Sequence, residues 1–360
     1  MVNMQEGRLK IKTKLGILTE IINGNLDKKT SQGALVRILE DKNKKKYVIK
    51  SAKKTSSYNL LLQQIKRMRI LRNSGVNIIP KLLEFSVNKN QAYYIMPFIK
   101  GVSGYQKYVQ EVKSEIEFKN RFNDLIMQLN SRLWSKGKFF YEDHYFSRRQ
   151  NYVVDRGMKD IEEFIKIYPL FQDKLIINGV AIYSLKTLFL QIKSALTFLD
   201  DLFKNTKIPQ FTHGDLHLDN ILVQADGKIT VIDINENEQR KNNSIEFELG
   251  RLMMSFYREI ITNRHYEITT EGVNDFRIKL HKKGLKILNL RFKAYEEIFQ
   301  NKNLTYWFHD KEKSCKVIEF MEALHLVNVF FRRPKSEIIP TYILGTLLLF
   351  KSLSNLKLLR

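Results

Sequence analysis

Residues 211–237 read FTHGDLHLDNILVQADGKITVIDINEN. Two β-rich tetrapeptides, ILVQ (221–224) and ITVI (229–232), flank the turn ADGK, and such runs around Asp-Gly are a hairpin pattern. His213-Gly214-Asp215 precedes the first strand, Asn220 lies five residues past the aspartate, and Asp233 follows the second strand. A hairpin returns its exit to its entrance, so Asn220 and Asp233 are expected to converge. An amide oxygen and a carboxylate are hard donors that suit Mg²⁺, which binds one or two protein carboxylates and otherwise keeps water and phosphate. Asp215 would then stand beside the metal, placed to take a proton from an attacking hydroxyl. Asp and Asn are also ordinary turn residues, and Asp226 reads as one. At average usage, His-Gly-Asp with Asn five beyond arises on the order of once in a thousand chains of this length, which separates the others from that reading. Asp219 reads as a solvated loop acid and His217 as a packing residue.

Working outward, residues 101–360 are expected to be mostly helical, with periodic segments at 112–134, 183–203, 244–261, 271–299, 311–331 and 336–356, interrupted only by the hairpin. Residues 1–100 have a different texture. Runs 18–22 and 34–40 are strand-like and separated by the turn-rich NGNLDKKTSQG. In YVIK (47–50), Tyr47 and Ile49 share one face while Val48 and Lys50 share the other. Leu61, Ile65, Met68 and Leu71 recur at helical spacing, and Gly75 offers a stop. Residues 81–87 and 92–98 complete an order of three strands, one helix, two strands.

At 360 residues, about two units are expected, since one core rarely grows past roughly 250–300 residues. The net charge is +23. Residues 1–100 hold 21 basic and six acidic side chains, against 40 and 32 in the remainder. Lysine runs such as KNKKKYVIK read as solvated surface beside a site for a phosphorylated ligand, in preference to a nucleic-acid patch. The single cysteine, Cys315, excludes an internal disulfide framework and a thiolate zinc cluster. No apolar run reaches the ~18 residues of a membrane span, and no secretory leader is visible, so a cytoplasmic setting is expected.

The 211–235 segment resembles the catalytic and metal-binding segments of the aminoglycoside phosphotransferase family, which shows His-Gly-Asp-x-x-x-x-Asn, a hairpin and an Ile-Asp pair. The resemblance implies an α+β, bilobal protein-kinase-like fold: a small β-rich N-lobe with one main helix (1–100) and a larger, mostly helical C-lobe (101–360). It implies Asp215 as catalytic base, Asn220 and Asp233 as magnesium ligands, and His213 as a brace of the loop. Lys50 would reach the α/β-phosphates of ATP, with GTP as the alternative nucleotide. Residues 28–33 (KKTSQG), with Ser31 and Gly33, would cover the phosphates through backbone N–H groups. Met96-Pro97-Phe98 would be the hinge whose backbone pairs with adenine. The expected activity is phosphoryl transfer to a hydroxyl of a small molecule, an aminoglycoside, a sugar or a similar metabolite.

One departure bears on activity. Gln64 stands where the family's helix glutamate pairs with the strand lysine, and no acid lies between Lys50 and Glu84. A glutamine cannot neutralise an ammonium. Either another carboxylate folds in or nucleotide phosphate alone holds Lys50, and a catalytically impaired kinase-like scaffold is the alternative. Glu246 and Glu248 are candidates to support the loop or border the acceptor, although acids in a helix's first turn are commonly explained by the macrodipole alone.

Overall fold

The computed structural model describes residues 2–5, 8–21, 34–53, 56–88, 91–235 and 243–359. The N-terminal part is one antiparallel sheet of seven strands in the order β1-β2-β3-β4-β5-β7-β6. These are β1 (Val2–Gln5), β2 (Arg8–Thr13), β3 (Gly16–Glu20), β4 (Leu35–Glu40), β5 (Lys46–Lys53), β6 (Glu84–Val87) and β7 (Gln91–Pro97), with α1 (Ser56–Asn73) between β5 and β6. The expected strand set omitted β1 and β2, although RLKIKT alternates at the strand period.

Alternation along β5 sorts its residues as expected. Tyr47 and Ile49 are buried with Ile11, Leu18, Leu39 and Ile95 on one face of the sheet. The opposite face turns Ala52 toward Leu61, Ile65, Met68 and Leu71 of α1, which share a large core with the C-terminal part. Lys50, between Val36 and Tyr94 in register, lies on this second face and is only 7% exposed. The helix ends as Gly75 enters the left-handed region at φ +80, where Gly75 N–H donates to Arg72 O and Val76 N–H to Leu71 O.

The hairpin lies at 221–231 with Ile221 opposite Val231 and Val223 opposite Ile229, and all four side chains are buried. Gly227 takes φ +80 in the turn while Asp226 Oδ1 accepts from Lys228 N–H, which keeps Asp226 a turn residue. A short strand, Val102–Ser103, pairs on its other side. Preceding it, Gly101 packs so tightly that an added Cβ would stand 2.7 Å from Val223 O. Val231 N–H donates to Ile78 O, tying the hairpin to the chain just after α1.

Helices build most of the remainder, but two expectations are corrected. The hairpin is not the sole β interruption: Leu175–Ile177, Val180–Ile182, Tyr266–Thr270 and Asp275–Leu280 form a four-stranded sheet. Accordingly, the helix expected over 271–299 begins only at Lys282 and runs to Gln300, because Phe276, Ile278 and Leu280 alternate at period two in the preceding strand. Helices Tyr145–Arg149 and Asn151–Ile167 were also absent from that reading. The helix Lys335–Asn355 is long and apolar enough to cross a membrane by length and composition. Its Tyr342, Ile343, Leu349 and Leu353 are buried in a second core cluster.

Candidate active site

The loop 211–220 is anchored from three sides before any catalytic group is placed. From α1, Arg67 Nη2 donates to Thr212 O at 2.7 Å. From the hairpin exit, Ile232 O accepts from His213 Nε2 at 2.8 Å, leaving Nδ1 to accept from Asp215 N–H at 3.2 Å. Those two bonds fix a neutral imidazole with the proton on Nε2, in line with burial pushing the His213 pKa down. His213 is the brace the sequence suggested.

The third anchor is the helix Ile245–Thr262, called here the bracing helix. Glu248 accepts from both His213 N–H (2.8 Å) and Gly214 N–H (2.7 Å). Arg251 donates from Nε to Asp215 Oδ1 at 2.7 Å, with Nη2 on the same oxygen. Ser255 Oγ accepts from Leu218 N–H at 3.0 Å. Arg258 Nη1 pairs with Asp219 Oδ2 at 2.9 Å. Positions 248, 251, 255 and 258 recur every three or four residues, so one helical face reads along the loop like a template. Burial pushes the Glu248 carboxyl up to about 7, against the pull of its two backbone donors. Glu246 does something else: its Oε1 accepts from Ser314 Oγ at 3.0 Å, away from the loop.

Four residues that sequence singled out meet around the hairpin. Asn220 donates from Nδ2 to Asp215 O at 3.0 Å, which commits its amide nitrogen to the loop. Asn220 O accepts from Ile232 N–H at 2.8 Å, one residue before Asp233. Asp233 holds φ +55, a left-handed conformation that costs a non-glycine residue of order 1 kcal/mol or more and that functional sites tend to store. Its carboxylate accepts from Lys50 Nζ at 2.7 Å across 183 residues of chain.

That ion pair answers the question Gln64 raised. Gln64 Nε2 donates to Ile234 O at 2.9 Å and its Oε1 accepts from Tyr94 OH at 3.2 Å, so this side chain is occupied elsewhere. The carboxylate that folds in beside Lys50 is Asp233. At the expected hinge, Met96 lies opposite Val48. Phe98 N–H donates to Lys46 O at 3.1 Å, so the sheet already uses that amide and adenine pairing would fall to the neighbouring backbone groups. Ser31 and Gly33, like Glu236 and Glu238, lie outside the described residues.

The donor set fits a hard divalent ion. Asp233 is 45% exposed at its side chain and already bears a cation, the Lys50 ammonium; Asn220, whose amide oxygen is the second hard donor, is tied by its backbone carbonyl to Ile232 N–H, one residue before Asp233. Among the described residues, no three His, Cys, Asp or Glu side chains cluster to hold a metal, so Mg²⁺ would depend on phosphate and water for its other positions.

The model of the phosphotransferase enzyme family (APH) matches residues 32–236, more than half of the chain. The chain belongs to that family. It is an enzyme, a small-molecule phosphotransferase with an alcohol group as acceptor. The match spans β5, the loop, the hairpin and Asp233, and stops before the bracing helix. Solved structures similar to the chain include an aminoglycoside-3'-phosphotransferase of type VIII, 13% identical, covering 84% of this chain and 93% of that one with a TM-score of 0.43. A macrolide 2'-phosphotransferase type I is 11% identical, covering 91% and 90%, with a TM-score of 0.42. No curated protein matches.

Arg67, Glu248, Arg251, Ser255 and Arg258 were not singled out from sequence as a set. Within the bracing helix the pattern is nonetheless present: Glu248, Arg251, Ser255 and Arg258 stand at three- and four-residue steps among mostly apolar neighbours.

Proposed function

We propose that this phosphotransferase uses ATP, or GTP, with Mg²⁺ to phosphorylate a hydroxyl of a small molecule such as a sugar, an aminoglycoside or a similar metabolite, in the cytoplasm. The nucleotide would lie between the sheet-bearing residues 1–100 and residues 101–360. The observation that carries this reading is the 2.7 Å contact of Lys50 with Asp233, which joins a strand lysine to the carboxylate at the hairpin exit. Two groups suited to phosphate and to metal thereby share one spot.

Asn220 and Asp233 would hold Mg²⁺, which when bound neutralises charge on phosphate oxygens. Lys50 would exchange its carboxylate partner for nucleotide phosphate. Asp215 orients the acceptor hydroxyl and takes its proton as that oxygen forms a bond to the γ-phosphorus, while the bond to the bridging β–γ oxygen breaks and the nucleoside diphosphate leaves with the electron pair. Arg251 keeps the base in a fixed orientation. Positioning and charge neutralisation supply most of the rate.

The decisive experiment is a nucleotide-turnover screen against hydroxylated small molecules with Asp215→Asn as the control. We expect the variant to fold and bind nucleotide, yet to lose phosphoryl transfer by roughly 10²–10⁴-fold. Near-normal turnover by Asp215→Asn removes the assigned base. A chain that shows neither magnesium-dependent nucleotide binding nor hydrolysis is instead the impaired scaffold.

A further inference from the structure

Past Asp215, the bracing helix carries arginines toward the loop: Arg251 on Asp215 and Arg258 on Asp219. Arg251 and Arg258 lie seven residues apart on the bracing helix, two turns along one face, or about 10 Å. Arg333 follows the short 3-10 helix Phe330–Arg332 and meets the same helix through Glu337, whose Oε2 lies 3.7 Å from Arg333 Nη1 and accepts from Thr262 Oγ1, one turn beyond Arg258. Solvent reaches the patch: side-chain exposure is 28% at Asp215, 47% at Asp219 and 34% at Arg258.

A polycationic acceptor needs uncommitted carboxylates. Here Asp215 is taken by Arg251 and Asp219 by Arg258, so an amine would have to displace a guanidinium at each. The opposite charge finds a better welcome. Among the described residues, Arg333 has one ion-pair contact, a long one to Glu337, Nη1 to Oε2 at 3.7 Å, and Glu337 is also approached by Thr262 Oγ1 at 3.3 Å. Arg333 Nε is buried without a hydrogen-bond partner among the described residues. Burial, with Arg258 and Arg251 as like charges nearby, pushes the Arg333 pKa down to about 10, although Glu337 and Asp219 pull the other way. An under-compensated, desolvated guanidinium gains most from a new anion. Arg258 has five donors and Asp219 occupies one of them, so it can share. His217, which lies among the same groups, is kept neutral by burial and adds no competing charge.

We propose that Arg258 and Arg333 form a seat for an anionic group, a phosphate or a carboxylate, carried by the hydroxylated acceptor. The inference rests on the phosphotransferase reading and narrows it: the substrate is an acidic metabolite such as a sugar phosphate or sugar acid, with its hydroxyl at Asp215 and its anion two helical turns along the bracing helix. That separation, on the order of 10 Å, suits a molecule of hexose phosphate size.

The test uses the full chain saturated with Mg²⁺ and a non-hydrolysable ATP analogue, so that the nucleotide's own phosphate contacts are filled. Failure of the analogue to bind defeats the phosphotransferase reading itself. Given that it binds, inorganic phosphate is titrated calorimetrically into wild type, Arg258→Gln and Arg333→Gln. We expect wild-type binding that weakens about 10- to 100-fold in each variant, the loss of a charge-assisted contact, and weakens less in Arg258→Lys. No phosphate binding, or binding that both glutamine variants retain, overturns the seat while leaving the phosphotransferase reading intact. Turnover is then measured on paired acceptors: neutral sugars, their phosphates and acids, and amino sugars. The seat predicts that acidic members win and that Arg333→Gln raises their KM more than it lowers kcat. Equal or better turnover of neutral or cationic members overturns it. Glycerol 3-phosphate compared with phosphatidate vesicles, as competitors of inorganic phosphate, tells a soluble acidic acceptor from a lipid headgroup.

Discussion

Asp215 shows how little a single side chain does unaided. Its carboxylate is aimed by Arg251, its amide by His213, and the carbonyl behind it by Asn220. The surrounding loop is held neutral where neutrality is needed. His217 is largely but not fully buried near Asp215, its side chain 14% exposed, and desolvation pushes its pKa down to about 4, with Arg258 and Arg251 helping and Asp215 and Asp219 opposing. The folded chain therefore excludes a proton that the unfolded chain binds below about pH 6.5. Stability from this group is complete above that pH and is lost as pH falls through about 4. Between pH 7.5 and 4.5, wild type should lose about 2–3 kcal/mol more than His217→Gln in urea unfolding. Glu248, whose carboxyl is pushed up to about 7 by burial, acts in the opposite sense in both proteins and so cancels in the comparison. Equal pH slopes for the two proteins would show that His217 is not buried as a neutral ring.

At the scale of elements, the bracing helix does the organising. It sets Glu248, Arg251, Ser255 and Arg258 against consecutive parts of the loop, and its own position is set by packing on the helix Lys311–Val327. The closest point of that packing is Gly250, where an added Cβ would fall 2.5 Å from Met321 Cβ and 3.0 Å from Glu322 N. In an exposed helix, glycine to alanine gains about 1 kcal/mol. Here Gly250→Ala should instead cost about 1–3 kcal/mol through overpacking and lower turnover by shifting the register onto the loop. Thermal unfolding with activity at a permissive temperature checks both, and a stabilised variant would refute the close approach. The hairpin was legible from sequence because turn chemistry and alternation are local. The strands at 175–182 and 266–280 were not read, since each is short; each pair is a local hairpin, and only the step that joins the two hairpins, Ile176 beside Asp275, reaches across a long stretch of chain.

For the whole molecule, the central question is what joins the sheet to the hairpin. Core packing through α1 does part of it, and the Lys50–Asp233 pair spans the rest. The proposed Mg²⁺-nucleotide would bind at this junction and so stabilise the folded chain by about 2.7 kcal/mol at a hundred times its Kd. Chelating the metal, or introducing Asp233→Asn, should remove most of that increment in a thermal-shift measurement; protection that survives both would place the nucleotide elsewhere. The sequence by itself determined the family and the sheet-then-helices order, and it picked out Lys50, Asp215, Asn220 and Asp233 as candidates, because hairpin alternation and a fixed spacing are properties of neighbouring residues. Only the tertiary structure decided who pairs with whom. It gave Lys50 its carboxylate in Asp233 in place of Gln64, and separated Glu248 at the loop from Glu246 at Ser314. It also brought Arg333 to a helix more than seventy residues earlier in the chain. Those outcomes depend on how buried charges find partners in a finished core, where desolvation penalises every unpaired choice, and that accounting has no counterpart in local pattern.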